Sequence, residues 1–403
     1  MKIGVVAPGH FKRLGAEIAF LHAWFHASQK GFPAPDYIGG VSAGGIAAAC
    51  AAQWTEEDFK RTEEILLDLK RSDFYSINPE LKLQAILAIL PLLLTLVPHE
   101  LVDHFIDKIA ESVGIDPKKL KIIKLGLRLV PVATTIKLDE AFVRKFLTCE
   151  SIFSNDNLHK LLIRSLSFKR IFDSPIKIEI ASADVNNKQF SIVTNYKPEH
   201  QDSQIFTRGI VDSTRLPVFF PFRQNAEGNY LADGAAIANM PFSLARGHGC
   251  DLIVVLKFNC VGDDESQKKH DHWVSGLQRF IDMSVDEVAR KAERDYEYTN
   301  RNLAELEVQK KQLEDLGKLL YYSHLDSTSA QAIRKYITAK NDSDRRLSYF
   351  GKKKIPIISV ESELLPEFHF SSFDREQTRV TINKGYNAFE NDFMPKFKAL
   401  NLK

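Results

Sequence analysis

Apolar and polar positions change period along this chain, and each change marks an element. Ile3 to Ala7 is an unbroken apolar run stopped by Pro8 and Gly9, the pattern of a short buried strand. A glycine-bearing turn over 9–15 leads into a segment whose Ile18, Leu21 and Phe25 share one helical face. Tyr37-Ile38-Gly39-Gly40-Val41 is a second strand, and an alanine-rich helix over 43–54 follows it at once. Strand alternating with helix predicts a parallel sheet covered on both faces. β-Rich runs of strand length return at 176–181, 189–193, 252–256 and 355–360. Residues 55–140 instead keep a helical period with few β-branched clusters. The stretch 275–322 is rich in Glu, Lys, Arg and Leu and lacks proline, which predicts one or two long helices with a solvated charged face. A last helix starts near Arg375.

These elements predict an α/β fold with a mostly parallel central sheet flanked by helices, a helical insertion and a helical C-terminal extension. The core is expected from 1–54 and 141–262, completed by 355–400. Residues 55–140 form the insertion and 263–354 a charged helical region.

Composition narrows the class. With 44% hydrophobic and 26% charged residues among 403, the chain is an ordinary globular one. A net charge of +2 gives no global field for nucleic acid. Cys50, Cys149, Cys250 and Cys260 lie far apart with no C-x-x-C pair, so neither a zinc site nor a disulfide framework is expected, and a reducing compartment is. The opening apolar run is too short for a signal peptide core. The longest apolar stretch, 85–97, contains Pro91 and Thr95 and falls short of the ~20 residues of a membrane-spanning helix. A cytoplasmic location without a signal peptide is the expectation.

The strongest chemical signal is Gly40-Val41-Ser42-Ala43-Gly44, a G-x-S-x-G between a strand and a helix. In that context small residues permit a tight turn that lifts the serine Oγ above the sheet edge, and the helix N-terminus favours negative charge there. Serine is also a good helix cap, so Ser42 is either a nucleophile or a cap on these residues alone. A second signal is Asp233-Gly234-Ala235 after an apolar run, a pattern that also makes ordinary turns. His10, His22, His248 and His369 offer no recognisable triad context.

Taken together, Ser42 and Asp233 in that order on alternating strands and helices resemble the patatin-like phospholipase family, whose catalysis uses a Ser-Asp dyad. Asp36 through Gly45 resembles the family's elbow block, and Ile178 through Asp184 its strand leading to A-T-D. Ser213 through Pro221 resembles its S-x-x-x-P-x-x-F-x-P segment, and Asp233-Gly234-Ala235 through Asn239-Met240-Pro241 its D-G-G/A…N-x-P block. Phe373-Asp374 and Gly385-Tyr386 look like its C-terminal end. The resemblance implies a three-layer α/β/α fold and a lipid acyl hydrolase acting through a serine acyl-enzyme. Ser42 would be the nucleophile, Asp233 the base, and Gly40, Gly44 and Gly234 the motif glycines. No cofactor and no metal is implied. The partners are a phospholipid or other acyl-ester lipid, a peripheral membrane surface and a protein activator, with no nucleic acid.

One block departs from the family. Its glycine-rich G-G-G-x-R/K-G loop, whose N–H groups form the oxyanion hole, stands here as Gly9-His10-Phe11-Lys12-Arg13-Leu14, where only Gly9 and Arg13 match. The resemblance implies Gly9, His10, Phe11 and Arg13, with the N–H of Ala43, as that hole. A bulky residue forced to positive φ costs about 1–2 kcal/mol, so His10 and Phe11 set the expectation of a misshapen loop. The alternative reading is therefore a catalytically weak or inactive scaffold that binds membrane lipid or a protein partner. A third keeps the enzyme with a soluble ester or thioester.

The insertion carries a basic row at helical spacing, Lys118, Lys121, Lys124 and Arg128, with Leu120, Ile123 and Leu127 between. With Leu87, Leu90 and Leu93 of the apolar stretch, it reads either as a membrane-contact element or as a buried helical cap with a wet basic face.

Overall fold

The computed structural model describes residues 1–77, 153–217, 219–258, 273–322, 331–332, 334–338, 340, 354–362, 365 and 374–400. Much of the 55–140 insertion, including Leu87, Leu90, Leu93, Lys118, Lys121, Lys124 and Arg128, lies outside the described residues.

Eight strands build one sheet: β1 (Ile3–Ala7), β2 (Tyr37–Val41), β5 (Lys177–Asp184), β6 (Gln189–Thr194), β7 (Arg223–Gln224), β8 (Tyr230–Asp233), β9 (Leu252–Leu256) and β10 (Ile357–Val360). Their order is β10-β9-β1-β2-β5-β8-β7, with β6 also paired to β5. The five strands from β10 to β5 run parallel. β6, β7 and β8 continue the sheet antiparallel. The short β3 (Ser76–Ile77) and β4 (Phe153–Ser154) form a separate antiparallel pair.

Side-chain alternation shows why the sheet needs two covering layers. In β1, Ile3, Val5 and Ala7 join one core while Val6 joins the other; in β9, Leu252, Val254 and Leu256 face the first and Ile253 and Val255 the second. The first core is closed by α1 (Leu14–Ser28), α2 (Ala43–Ala52) and α3 (Glu56–Asp68). Beyond α3 come the short α4 (Arg71–Phe74), then α5 (Asp156–Ser165), α6 (Phe168–Phe172) and α7 (Ser203–Ser213). The second core is closed by α8 (Phe242–Gly247) and the 50-residue α9 (Trp273–Tyr322), where Tyr296 packs on Phe242 at a ring separation of 4.8 Å. α9 is tied to the β10 edge by Asn300, whose Nδ2 donates to the Ile355 carbonyl at 2.8 Å, and to the end of β9 by the Lys257–Glu293 ion pair.

α1 is buried from Leu14 through Trp24, so the single apolar face read from Ile18, Leu21 and Phe25 understates it. The reason lies at the other end of the chain. α10 (Arg375–Ala388) and α11 (Met394–Ala399), joined by a π-helical stretch over 389–393, lay Phe389 and Phe393 against Phe20 and Trp24. A β-carbon on Gly385 would fall 2.3 Å from the Ala16 carbonyl oxygen, which is how closely α10 approaches α1. α10 is capped by Asp374, whose Oδ1 accepts from the N–H groups of Glu376 and Gln377. α2 is buried throughout; it ends at Ala52, two residues before the expected Trp54, which takes φ 47°. Cys50 and Cys250 are buried free thiols.

One buried charge pins α3 to α6. Asp58 is fully buried and accepts from Thr55 Oγ1 at 2.6 Å, Arg61 Nη2 at 2.6 Å and Arg170 Nη1. Both arginines are partly exposed, which screens the pair. Asp58→Ala should cost about 2–3 kcal/mol, less than the roughly 3–5 kcal/mol of a fully buried pair, read as a lower urea midpoint with an unchanged m-value.

Candidate active site

Ser42 sits between the end of β2 and the start of α2 at φ 52° and ψ −126°, a conformation that a residue bearing a β-carbon rarely adopts. The neighbouring glycines make that turn sterically feasible. A β-carbon on Gly44 would lie 2.1 Å from the Ala7 carbonyl oxygen, and one on Gly40 would lie 2.3 Å from that of Gly44. The sharpness of the turn therefore rests on two positions that admit no side chain.

The turn is also held from below. The Ser42 N–H donates to Ser213 Oγ at 2.8 Å, and that hydroxyl in turn donates to the Ala181 carbonyl of β5 at 2.6 Å. Ser213 lies at the end of α7, so the helix over 203–213 orients the elbow through one hydroxyl.

Asp233 closes β8, opposite Ser182 of β5, while β5 itself is paired to β2. Sheet order thus brings Asp233 to the same edge as Ser42. The Ser42 hydroxyl lies beside the Asp233 carboxylate and favours its ionised form. Asp233 is 2% exposed, and its Oδ1 accepts the Ala235 N–H at 2.8 Å. Burial pushes the Asp233 carboxyl up to about 7, against the opposing pull of the Ala235 N–H and of the Ser42 hydroxyl. Gly234 passes so close to β5 that a β-carbon there would lie 2.1 Å from the Ala181 oxygen.

The 9–13 loop has a geometry that the sequence comparison did not foresee. Neither His10 nor Phe11 takes positive φ, and His10 is extended at φ −168° and ψ 118°, so the strain expected from their bulk is absent. Gly9 is needed for space: a β-carbon there would lie 2.6 Å from Ser42 Cβ. The Gly9 N–H is already engaged, donating to the buried Asn239 Oδ1 at 2.7 Å. Phe11 packs edge-on against Phe74 at 4.4 Å. Arg13 is buried one turn before Glu17, whose fully buried carboxyl is raised well above its ordinary value by desolvation and partly restrained by the Arg13 charge. Ala43 opens α2, where helical geometry offers its N–H no acceptor four residues back.

Sequence reading therefore marked Ser42, Asp233, Gly40, Gly44, Gly234 and Gly9, which the fold assembles at one sheet edge. It left Ser213 and Asn239 without roles, although both sit in blocks that it singled out. Of the four histidines weighed for a triad, His22 and His248 are bound elsewhere: His22 by Glu56, Glu63 and Tyr386, and His248 stacked on Tyr37 at 4.6 Å. No helix among the described residues is long and apolar enough to cross a membrane.

Comparison with known proteins gives three findings. No curated protein matches the chain. Among solved structures, VipD from Legionella pneumophila is similar at 14% identity and a TM-score of 0.38; the alignment covers 96% of this chain and 66% of that one. The family model for the patatin-like phospholipases matches residues 12–246. That match takes in both the Ser42 elbow and the Asp233 strand end and extends over more than half of the 403 residues, so the chain belongs to the patatin-like phospholipase family.

Proposed function

We propose that the chain is a lipid acyl hydrolase of the phospholipase A or lysophospholipase type, with Ser42 as nucleophile and Asp233 as its base. The observation that carries this reading is the placement of the Ser42 hydroxyl, held in a strained elbow, at the same sheet edge as a buried carboxyl raised to about 7. A serine hydroxyl at its ordinary pKa attacks an ester poorly unless a neighbour takes its proton. As Ser42 Oγ bonds to the carbonyl carbon, its proton passes to Asp233. Collapse of the tetrahedral intermediate breaks the bond to the alcohol, which leaves with that proton. Water then attacks the acyl-serine, giving its proton to Asp233, and release of the fatty acid returns the proton to Ser42.

The developing oxyanion needs donors, and one such donor is worth roughly 10²–10³ in rate in a well-studied hydrolase. The Ala43 N–H, at the positive end of α2, is the donor best supported. His10 and Phe11 supply loop N–H groups of the kind that the family's glycines provide. Peripheral contact with a lipid surface through the 55–140 insertion, and a protein activator, belong to the same proposal.

A scaffold that binds lipid or a protein without turnover is the second reading. It draws support from the commitment of the Gly9 N–H to Asn239, which removes one family donor from the hole. Fatty-acid release from mixed-lipid vesicles separates the two. The hydrolase reading expects release that rises with pH through about 7, because Asp233 accepts a proton only when ionised. Absence of release from folded protein, with and without cell extract as a source of activator, favours the scaffold.

A further inference from the structure

The seam where α1 meets α3 and α10 gathers donor groups that the hydrolase reading does not use. His22 and His26 lie one turn apart on α1, and Glu56 opens α3 opposite them. Glu56 Oε2 is 3.2 Å from His22 Nε2 and 3.3 Å from His26 Nε2, and one donor atom from each of the three residues falls within 4.8 Å of the others. Tetrahedral zinc with bonds of about 2.0–2.2 Å requires ligand atoms separated by roughly 3.4 Å.

The surrounding contacts orient these donors. His22 is 2% exposed, and its Nδ1 meets Glu63 Oε1 at 2.8 Å. The Tyr386 hydroxyl from α10 donates to the same Glu63 oxygen at 2.6 Å. A carboxylate on Nδ1 favours the tautomer with its proton there, which leaves the Nε2 lone pair toward Glu56, the arrangement found behind metal-bound histidines. Stacking of the His22 ring on Phe59 at 4.8 Å and 6° locks its plane. Lys60 occupies Glu56 Oε1 at 2.9 Å, so Oε2 is the oxygen left to the two histidines. Glu56 and His26 are partly exposed, which gives an ion a path in and a solvent molecule a fourth position.

We propose that His22 Nε2, His26 Nε2 and Glu56 Oε2 form a site for a divalent transition metal ion of the zinc class. The ion would clamp α1 to α3 and, through Glu63 and Tyr386, to α10. Its place is structural and separate from the Ser42 edge.

The test uses tag-free, chelator-stripped full-length protein titrated with Zn²⁺ by calorimetry, and with Co²⁺ followed by visible absorption. The wild type should take up one ion per chain, and Co²⁺ should show the intense bands of a tetrahedral centre. His26→Ala removes a half-exposed ligand without opening the core and should weaken binding about tenfold or more. Glu63→Gln, which leaves all three ligands in place, should weaken it about 10–100-fold. No saturable Zn²⁺ binding by the wild type, or an unchanged affinity in His26→Ala with a native circular dichroism spectrum, overturns the site; the cluster is then a network of His-carboxylate ion pairs.

Discussion

Ser42→Ala should lower fatty-acid release from lipid vesicles by roughly 10⁴-fold or more, the order seen when a hydrolase loses its nucleophile and keeps its remaining machinery. The substitution preserves the β-carbon, so the elbow at φ 52° remains as strained as before. Its folding stability should therefore stay close to that of the wild type. Ser42→Gly supplies the contrast. It also removes the hydroxyl, but glycine occupies φ 52°, ψ −126° without steric penalty. A strained position of this kind costs about 1–3 kcal/mol, and glycine returns up to about 1 kcal/mol of that as added freedom of the unfolded chain. Ser42→Gly should thus be more stable than Ser42→Ala by about 1 kcal/mol while being equally inactive. Urea unfolding of the three proteins, beside their vesicle assays, reads both effects. Retained hydrolysis in either variant rules Ser42 out as nucleophile. Equal stability of the two variants would mean that the elbow stores no more strain than the roughly 1 kcal/mol that glycine gives back to the unfolded chain.

The strain argument also explains which parts of the site were legible in the sequence. Gly40 and Gly44 are spaced by the geometry of one turn, so their signal is local and survives in a five-residue pattern. The parallel strands were legible for a similar reason: β1 and β9 bury both faces and read as unbroken apolar runs. β8 has four residues, with Tyr230 exposed at one end and Asp233 at the other, and carries too little pattern to announce a strand. The supports of the site are less visible still. Ser213 reaches the Ser42 N–H, and Asn239 the Gly9 N–H, across 171 and 230 residues of sequence. No periodicity encodes such a distance. His10 and Phe11 show the converse, where a sound local rule misleads: bulk is costly only at positive φ, and the loop runs extended at His10. The all-round burial of α1 was hidden likewise, because Phe389 and Phe393 that cover it arrive from the far end of the chain.

Asp233→Asn should abolish hydrolysis and raise stability together. The amide can still accept the Ala235 N–H through its oxygen, so the turn at Gly234 keeps its hydrogen bond. It cannot take the Ser42 proton, and loss of the base should lower release by roughly 10⁴-fold, the order found for loss of a catalytic dyad or triad member. The stability effect follows from burial. The folded carboxyl titrates near 7, above its ordinary value of 3.8, so the folded state binds the proton more tightly than the unfolded chain does. The stability associated with that proton is fully present below pH about 4 and is lost as pH rises through about 7. At pH 8 the wild type carries the whole cost of an ionised, buried carboxylate, and linkage caps that cost at about 4 kcal/mol. Asparagine has no charge to bury and escapes it. The variant should therefore exceed the wild type in unfolding free energy at pH 8, and the gap should close as pH falls from about 7 toward 4. A gap that is constant across that range, or reversed at pH 8, would show that Asp233 is not a desolvated carboxyl poised near neutrality. The base that the hydrolase needs would then have to be sought elsewhere. The same desolvation that makes Asp233 costly to ionise raises its proton affinity toward that of a useful base, so catalytic fitness and native stability are opposed at this one side chain.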